Sequence, residues 1–411
     1  MGHCRWHDSG CQLKPKYSPR NLFVPDHRLL NSRIPLVTLL CVLGLVRVPL
    51  LHADEPLPGP SGSYDESVLV NWLQSRTLED AIPGGTFAIV TREGVTHLQT
   101  FGVKSVDTHA SITQDSIFRL ASVSKTFAGT AAAILVDQHL QDWNSPLSDL
   151  IPGLTIGTDS SSRTITLKQV VSHSTGLMPH SYSNLLDAGV NYDKIRGQFD
   201  QIPTVCAPGK CYGYQNVVFS LVADVVEVRT GASYEKYIEE QLFKPLGMTT
   251  ASIGLEPYEL SVDATVPHSK VRGDWRPTTT NAAYYSVAPA SGVNASINDM
   301  TLWVRANLGA FPDVLSPEQL ANLHEPIIAT PHGNYFNRWS GMEKAYYATG
   351  WRVFDYRGLR AIHHGGGVRG YRSEVVFVPE RNIGMVLMLN AESNLANDVV
   401  PAFLDSLLDS H

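Results

Sequence analysis

The chain has 411 residues, of which 43% are apolar and 17% charged, with a formal net charge of −7. This is a globular composition, long enough to bury a large core and to divide into two lobes. It excludes a disordered or fibrous chain.

The first element in chain order is the apolar run 34–46, IPLVTLLCVLGLV, preceded by Arg28 and Arg33 and followed by Leu51-His52-Ala53. A basic flank, a short apolar stretch and a small residue before a polar chain predict a secretory signal that ends near residue 53. The segment before the apolar run is longer than usual for such a leader. An uncleaved membrane anchor is the alternative; the shortness of the run and its interruption by Arg47 and Pro49 count against a membrane span. Cleavage would place the protein in the periplasm, without stable membrane association. Residues 54–411 would then carry −12, because the first 53 residues hold seven Lys/Arg against two Asp. Such acidity argues against nucleic acid or an anionic membrane as partner.

Residues 54–64 read as a flexible lead-in, and 65–411 as the folded domain. Apolar residues at Val68, Val70, Trp72, Leu73 and Leu78 predict a surface helix over 65–81. Two β-rich runs, 86–91 and 95–100, flank a turn at Arg92-Glu93-Gly94 and predict a hairpin. Helical patterns follow at 126–140, 217–230 and 234–243, so that the stretch 122–300 reads as mainly helical. Near the end, 374–378 and 384–390 read as strands, and 396–410 as a closing helix. Strands at both ends and helices between them predict an α+β fold. Its central antiparallel sheet would be flanked by helices, with an inserted, mainly helical lobe beside it. A cleft between the lobes is the natural site.

Three of the five cysteines, Cys4, Cys11 and Cys41, fall in the leader. The other two, Cys206 and Cys211, bracket Ala-Pro-Gly-Lys. The open alternatives are a small-loop disulfide, favoured by export and by the Pro-Gly turn, and a pair of free thiols.

The chemistry-bearing residues begin with Ser122-Val-Ser-Lys125, at the start of the Ala-rich helix. Positions i and i+3 share a helix face, so the two side chains can meet. A serine hydroxyl needs a base to become a nucleophile, and a desolvated lysine can act as that base. Alone, the pattern is common enough to be a helix start followed by a solvated lysine. The second element is Tyr214-Gln-Asn216. Its phenol can exchange protons, and Asn216 can orient the lysine or bind a substrate amide; a buried tyrosine and a helix cap would look the same. The third is His364 with the glycines after it, ahead of the closing strand pair. Gly366 and Gly367 would let a substrate backbone lie close, and the N–H groups of Gly367 and Ser122 would form an oxyanion hole.

Ser-x-x-Lys, Tyr-x-Asn and a cation followed by glycine, in this order and spacing, resemble the penicillin-recognising serine enzymes, specifically the class C β-lactamases with their DD-peptidase and esterase relatives. The resemblance runs from about Pro83 to Asn390. It includes Phe118-Arg-Leu-Ala-Ser-Val-Ser-Lys-Thr-Phe127, His173-Ser-Thr-Gly-Leu177, Lys244-Pro-Leu-Gly-Met248 and Thr349-Gly-Trp351. It implies a β-lactamase/transpeptidase-like fold and acylation of Ser122, with proton transfer by Lys125 and Tyr214. Asn216, His364, Gly366 and Gly367 would contact substrate, a β-lactam or a D-Ala-containing peptide, without cofactor or metal. His364 stands where class C enzymes carry lysine. A charged His364 would attract a substrate carboxylate only at low pH; Arg369 in the next loop could take over that attraction, or be a solvated loop arginine. The adjacent His363 and His364 also raise a metal site, but His324-Glu325 is followed by Ile328 where a zincin has histidine. The three functional alternatives are a β-lactamase, a peptidase or esterase of the same architecture, and a binding protein that keeps the scaffold without turnover.

Overall fold

The computed structural model describes residues 64–331 and 339–408. The predicted leader and nearly all of the lead-in lie outside the described residues.

The helix α1 (Ser67–Glu79) leads into the hairpin β1 (Gly84–Val90) and β2 (Val95–Gly102). The last strands of the chain are β9 (Met342–Tyr347), β10 (Arg352–Tyr356), β11 (Leu359–Val368), β12 (Tyr371–Val378) and β13 (Ile383–Leu389). With β8 (Ile328–Ala329) they make one sheet in the order β2-β1-β13-β12-β11-β10-β9-β8, antiparallel at every junction. The two ends of the chain meet in its middle, where Gly85 of β1 faces Leu389 of β13 and Val90 faces Gly384. This is the β-lactamase/transpeptidase-like, mixed helix-and-sheet fold that the resemblance implied.

Alternation divides the sheet's side chains between two cores. Phe87, Ile89, Met385 and Leu387 pack with Leu69 and Leu73 of α1 and with Phe403 and Leu404 of the closing helix Leu395–Leu408. The intervening Ala88, Val90, Val386 and Met388 face the opposite way, into the larger core. Both faces of β1 and β13 are thus covered, which is why these strands read as unbroken apolar runs.

The larger core is built around the helix α2 (Ser124–Asp137), every residue of which is buried from Ser124 to Leu135. Its three successive alanines at 131–133 favour helix and present little bulk, so neighbouring segments pack close. At Gly129 a Cβ would fall 2.3 Å from the Thr349 carbonyl oxygen, and at Gly350, whose φ is +76°, one would fall 2.3 Å from that of Lys125. These two glycines seat the loop before β10 directly on α2. A further helix, Ile297–Asn307, is capped by Ser296, whose side chain accepts from the Asp299 N–H while Asp299 returns the bond. It sends Trp303 onto Phe127 of α2 with ring centroids 4.1 Å apart.

The stretch 122–300 also holds short strands. β4 (Ser252–Ile253) and β7 (Val293–Ala295) form a small sheet with β3 (Phe118–Arg119), which lies just ahead of the stretch, and β5 (His268–Val271) pairs with β6 (Asp274–Pro277). The helix expected at 217 begins at Leu221, after a turn, and the one expected over 234–243 changes to a π-helix over Glu239–Phe243.

Trp303 is fully buried, and its indole N–H donates to Thr126 Oγ1 at 3.0 Å. Trp303→Ala should therefore cost about 3–5 kcal/mol of stability, read as a lowered midpoint in urea. A loss under 1 kcal/mol would mean that this contact does not anchor the core.

Candidate active site

Ser122 lies in the single 3-10 turn Ala121–Val123 that precedes α2. Ala121 before it has φ +49°, a left-handed conformation that costs a non-glycine residue about 1–2 kcal/mol. The neighbouring Leu120 is gripped from two sides: its N–H donates to the Val293 carbonyl at 2.9 Å, and its own carbonyl accepts from Ser373 Oγ at 2.7 Å. Ser373 lies on β12 opposite Gly366 of β11. A Cβ on Gly366 would fall 2.1 Å from the Leu120 carbonyl oxygen and 2.3 Å from Ser373 Oγ. The structure thus buries Gly366 against the chain leading to Ser122, rather than offering it to substrate. Its role here is to let β11 approach the serine turn.

The structure brings Ser122, Lys125, Tyr214 and Asn216 together. Lys125 Nζ is 3.3 Å from Ser122 Oγ, 2.8 Å from Asn216 Oδ1 and 2.9 Å from the Ala290 carbonyl oxygen. The Tyr214 hydroxyl donates to Ser122 Oγ at 2.8 Å. Lys125 is fully buried, and burial first, then the Arg352 guanidinium, hold its pKa well below the usual lysine value. A neutral amine has two N–H donors and one lone pair. Asn216 Oδ1 and the Ala290 carbonyl can only accept, so they consume the donors and leave the lone pair for the Ser122 hydroxyl. Asn216 spends its oxygen on the lysine; among the described residues its amide nitrogen has no hydrogen bond and remains a donor for a substrate carbonyl.

Tyr214 and Asn216 sit in a loop ahead of the helix Leu221–Thr230, not at its first turn. The loop is fastened to His173, whose carbonyl accepts from the Gly213 N–H at 2.7 Å and whose Nδ1 accepts from the Gln215 N–H at 3.3 Å. The His173 ring packs 4.3 Å from that of Tyr214. Cys206 and Cys211 sulfurs are 1.95 Å apart, closing the preceding turn. That turn wraps Gly176, where a Cβ would fall 2.2 Å from the Cys206 carbonyl oxygen.

His364 lies inside β11, not ahead of the closing strands. It is fully buried, and burial, followed by Arg352 and Lys125, pushes its pKa well below the usual histidine value. Its Nδ1 lies 2.9 Å from the Gly365 carbonyl oxygen, which can only accept, so Nδ1 carries the proton. Nε2 then accepts from the Tyr347 hydroxyl at 2.9 Å. Both ring nitrogens are committed and the ring is neutral. This corrects the expectation of a charged His364 attracting a carboxylate at low pH, because burial disfavours the imidazolium. Side chains alternate along a strand, so His363 points to the other face, where its Nε2 is 2.8 Å from Glu374 Oε2. The two histidines therefore face apart and do not share a ligand position.

Beyond His363, β11 has lost β10 as a neighbour but keeps β12 as far as Val368. The segment from His364 to Val368 thus presents one edge without a strand partner among the described residues. Gly367 is exposed at its end, and Arg369 is exposed in the turn that follows. A cation that sequence reasoning missed is Arg352. Its guanidinium lies 5.6 Å from the Tyr214 ring centroid, 5.5 Å from that of Tyr347 and 3.5 Å from the Tyr212 hydroxyl. The only signal was its position directly after Thr349-Gly-Trp351.

A family model described as Beta-lactamase matches residues 69–408. The chain belongs to the β-lactamase family. Among curated relatives it is similar to Penicillin-binding protein 4 of Amycolatopsis lactamdurans, at 26% identity over 76% of this chain and 82% of that one. It is 25% identical to Unguisins hydrolase ungD' of Aspergillus campestris over 80% of its own length, but spans only 62% of that protein. Against a Beta-lactamase of Yersinia enterocolitica the identity is 22%, over 79% and 86% of the two chains. Among solved structures, the octameric penicillin-binding protein homologue from Pyrococcus abyssi aligns with a TM-score of 0.75 at 20% identity, covering 84% of this chain and 78% of that one. This likeness shows the shared fold. The chain is thus a member of a hydrolase family whose relatives include β-lactamase-like and penicillin-binding proteins.

Gly366→Ala should push the Leu120 carbonyl away from β11 and displace the serine turn. The overpacking should cost about 1–3 kcal/mol, and any hydrolytic activity should fall further than the loss of folded protein explains. Thermal melts paired with an ester assay on the folded fraction would check this; unchanged activity would refute the positioning role of the glycine.

Proposed function

We propose that the protein is a serine hydrolase that works through an acyl-enzyme on Ser122, with β-lactam opening as its leading activity. The supporting observation is the buried amine of Lys125, its lone pair aimed at a hydroxyl that Tyr214 also contacts. In this reading neutral Lys125 takes the Ser122 proton as Oγ attacks the carbonyl. The developing oxyanion is received by the N–H groups of Ser122 and Gly367. Tyr214 hands a proton to the departing nitrogen and Lys125 returns one to Tyr214. Water then repeats the sequence with the acyl carbonyl and frees Ser122. Asn216 holds the substrate amide through its free nitrogen.

Arg352 is the cation best placed to attract a carboxylate, since His364 is neutral and Arg369 sits at the far end of β11. Penicillins and peptides with a C-terminal D-residue both carry that carboxylate on the nitrogen side of the bond to be cleaved. A peptidase or esterase activity is the second reading. It is favoured by the missing charge at His364 and by the likeness to a penicillin-binding protein and to a protein named a hydrolase of unguisins.

Intact-mass analysis after mixing with benzylpenicillin should show an adduct of one opened penicillin that then decays with release of product; Ser122→Ala should show none. A long-lived adduct would transfer the protein to the peptidase-like reading, and no adduct in the wild type would sink both.

The pH dependence follows from the depressed pKa values. As pH falls through the lowered Lys125 pKa the base is protonated, so kcat/KM should drop for every substrate. The ratio of kcat/KM for benzylpenicillin to that for a neutral 4-nitrophenyl ester should stay flat from about pH 5.5 to 8, since arginine does not titrate there and buried His364 stays uncharged. Arg352→Gln should lower that ratio about tenfold. A ratio that falls as pH rises through about 6.5 would restore a charged histidine to binding.

A further inference from the structure

The bridge between Cys206 and Cys211 closes its turn just ahead of Tyr214. Backbone bonds tie the segment to the stretch 173–180 on both sides. Ahead of Cys211, the Val205 N–H donates to the Gly176 carbonyl at 2.8 Å and the Gly209 N–H to that of Ser174 at 2.6 Å. After it, the Gly213 N–H donates to the His173 carbonyl and the His180 N–H to that of Tyr214, both at 2.7 Å. Cys211 and Tyr212 lie between these ties. Among the described residues no hydrogen bond holds the backbone of either. Their backbone is fixed by the covalent bond at Cys211. Tyr212 carries the consequence into the site. Its ring lies 6.1 Å from that of His173 and 5.9 Å from that of Tyr347, and its hydroxyl accepts from Arg352 at 3.5 Å. The bridge thus fixes the start of a short run, 212–216. That run holds Arg352 at one end, and Ser122 and Lys125 through Tyr214 and Asn216 at the other.

The bridge is also open to reagents. Neither cysteine is buried, and Ala207, Gly209 and Lys210 of the turn are exposed. Lys210, next to Cys211, is the one charged residue in the stretch 201–223. A neighbouring cation favours a thiolate, and a stable thiolate leaves a disulfide readily. We infer that the Cys206–Cys211 bond is a redox-sensitive positioning device: closed, it aligns Tyr214 and Arg352, and opened by a dithiol it releases them. In the opening step a thiolate of the dithiol attacks the Cys206 sulfur, and the Cys211 sulfur leaves as thiolate beside Lys210. The reagent's second thiolate then displaces Cys206, and the reagent departs as its own disulfide. Two electrons pass to the protein, and the two protons of the dithiol end, through solvent, on the two cysteine sulfurs. Exchange with an oxidised dithiol reverses the step. The backbone ties on either side keep the segment in place, so opening loosens Tyr212 without unfolding the lobe. The inference rests on the hydrolase reading for its effect on turnover, but the loosening can be measured without turnover.

The test compares the bridged protein, the same protein desalted from dithiothreitol, and the double variant Cys206→Ser/Cys211→Ser. Alkylation and peptide mapping of a sample establish the state of the two cysteines. Kinetic constants are measured for a neutral 4-nitrophenyl ester and for benzylpenicillin, and amide hydrogen exchange is followed over 205–216. Opening should speed exchange at 211–212 and lower kcat for the ester about tenfold, as a misplaced proton-transfer group does. It should also lower the ratio of kcat/KM for benzylpenicillin to that for the ester, because Arg352 loses its Tyr212 contact. A merely structural bridge would scale both substrates down with the folded fraction and leave the ratio unmoved. Reoxidation should restore both values, and the double variant should match the reduced protein with or without reagent. Unchanged kinetics with both thiols mapped as free, or a double variant with wild-type constants, overturn the inference. If the bridged protein turns over neither substrate, the hydrolase reading fails and exchange decides: faster exchange confined to 211–216 keeps the device, and unchanged exchange overturns it.

Discussion

The structure turns on keeping one amine dry. An ammonium at Lys125 would need the solvation that burial removes, and among the described residues no carboxylate pairs with it in exchange. It offers two uncharged acceptors, the Ala290 carbonyl at 2.9 Å and Asn216 Oδ1 at 2.8 Å. These suit a neutral amine and set the direction of its lone pair. A carboxylate partner would have stabilised the charged form and abolished the base. The guanidinium of Arg352 acts in the same sense as burial, since a like charge disfavours protonation.

Keeping that amine dry constrains the surrounding fold. The helix α2 is covered on every side: by the loop at Thr349-Gly350, by Trp303 and by the serine turn itself. Trp303 covers it by stacking on Phe127, whereas the loop and the serine turn come close through residues without side chains, at Gly129, Gly350 and Gly366. The sheet assembled from both chain ends supplies the rigid floor, and β11 reaches the serine because Gly366 has no side chain. Thus the same contacts that bury Lys125 also align the free strand edge with Ser122, so the fold could not lose one without disturbing the other.

The sequence made part of this legible and hid the rest for physical reasons. Ser122 and Lys125 are three residues apart on one helix, so local geometry alone predicts their meeting. Tyr214 and Asn216 could be placed only by resemblance, since 92 residues separate Tyr214 from Ser122. The hairpin near residue 90 and the closing strands were visible as β-rich runs, whereas β9 to β11 mix charged, glycine and aromatic residues and carry no plain alternation. His364 shows why a residue type does not fix a charge. Its identity suggested a titrating cation, but the bonds from Tyr347 and to Gly365 are non-local or backbone features that no spacing reveals. Arg352 was silent for the same reason: it matters through segments distant in the chain.

Neutralising the third position has a consequence for selectivity. A fixed lysine beside the nucleophile would bind any substrate carboxylate strongly and would also depress Lys125 further. With His364 uncharged, carboxylate attraction passes to Arg352, which lies against the Tyr214 and Tyr347 rings and is partly spent on them. A cation shared with aromatic faces gives up less to one ligand than a solvated or isolated one would. Discrimination must then be gained elsewhere along the substrate. That discrimination falls to the open edge of β11 beyond His363, where the backbone has no strand partner on one side among the described residues and is left for a substrate to pair with.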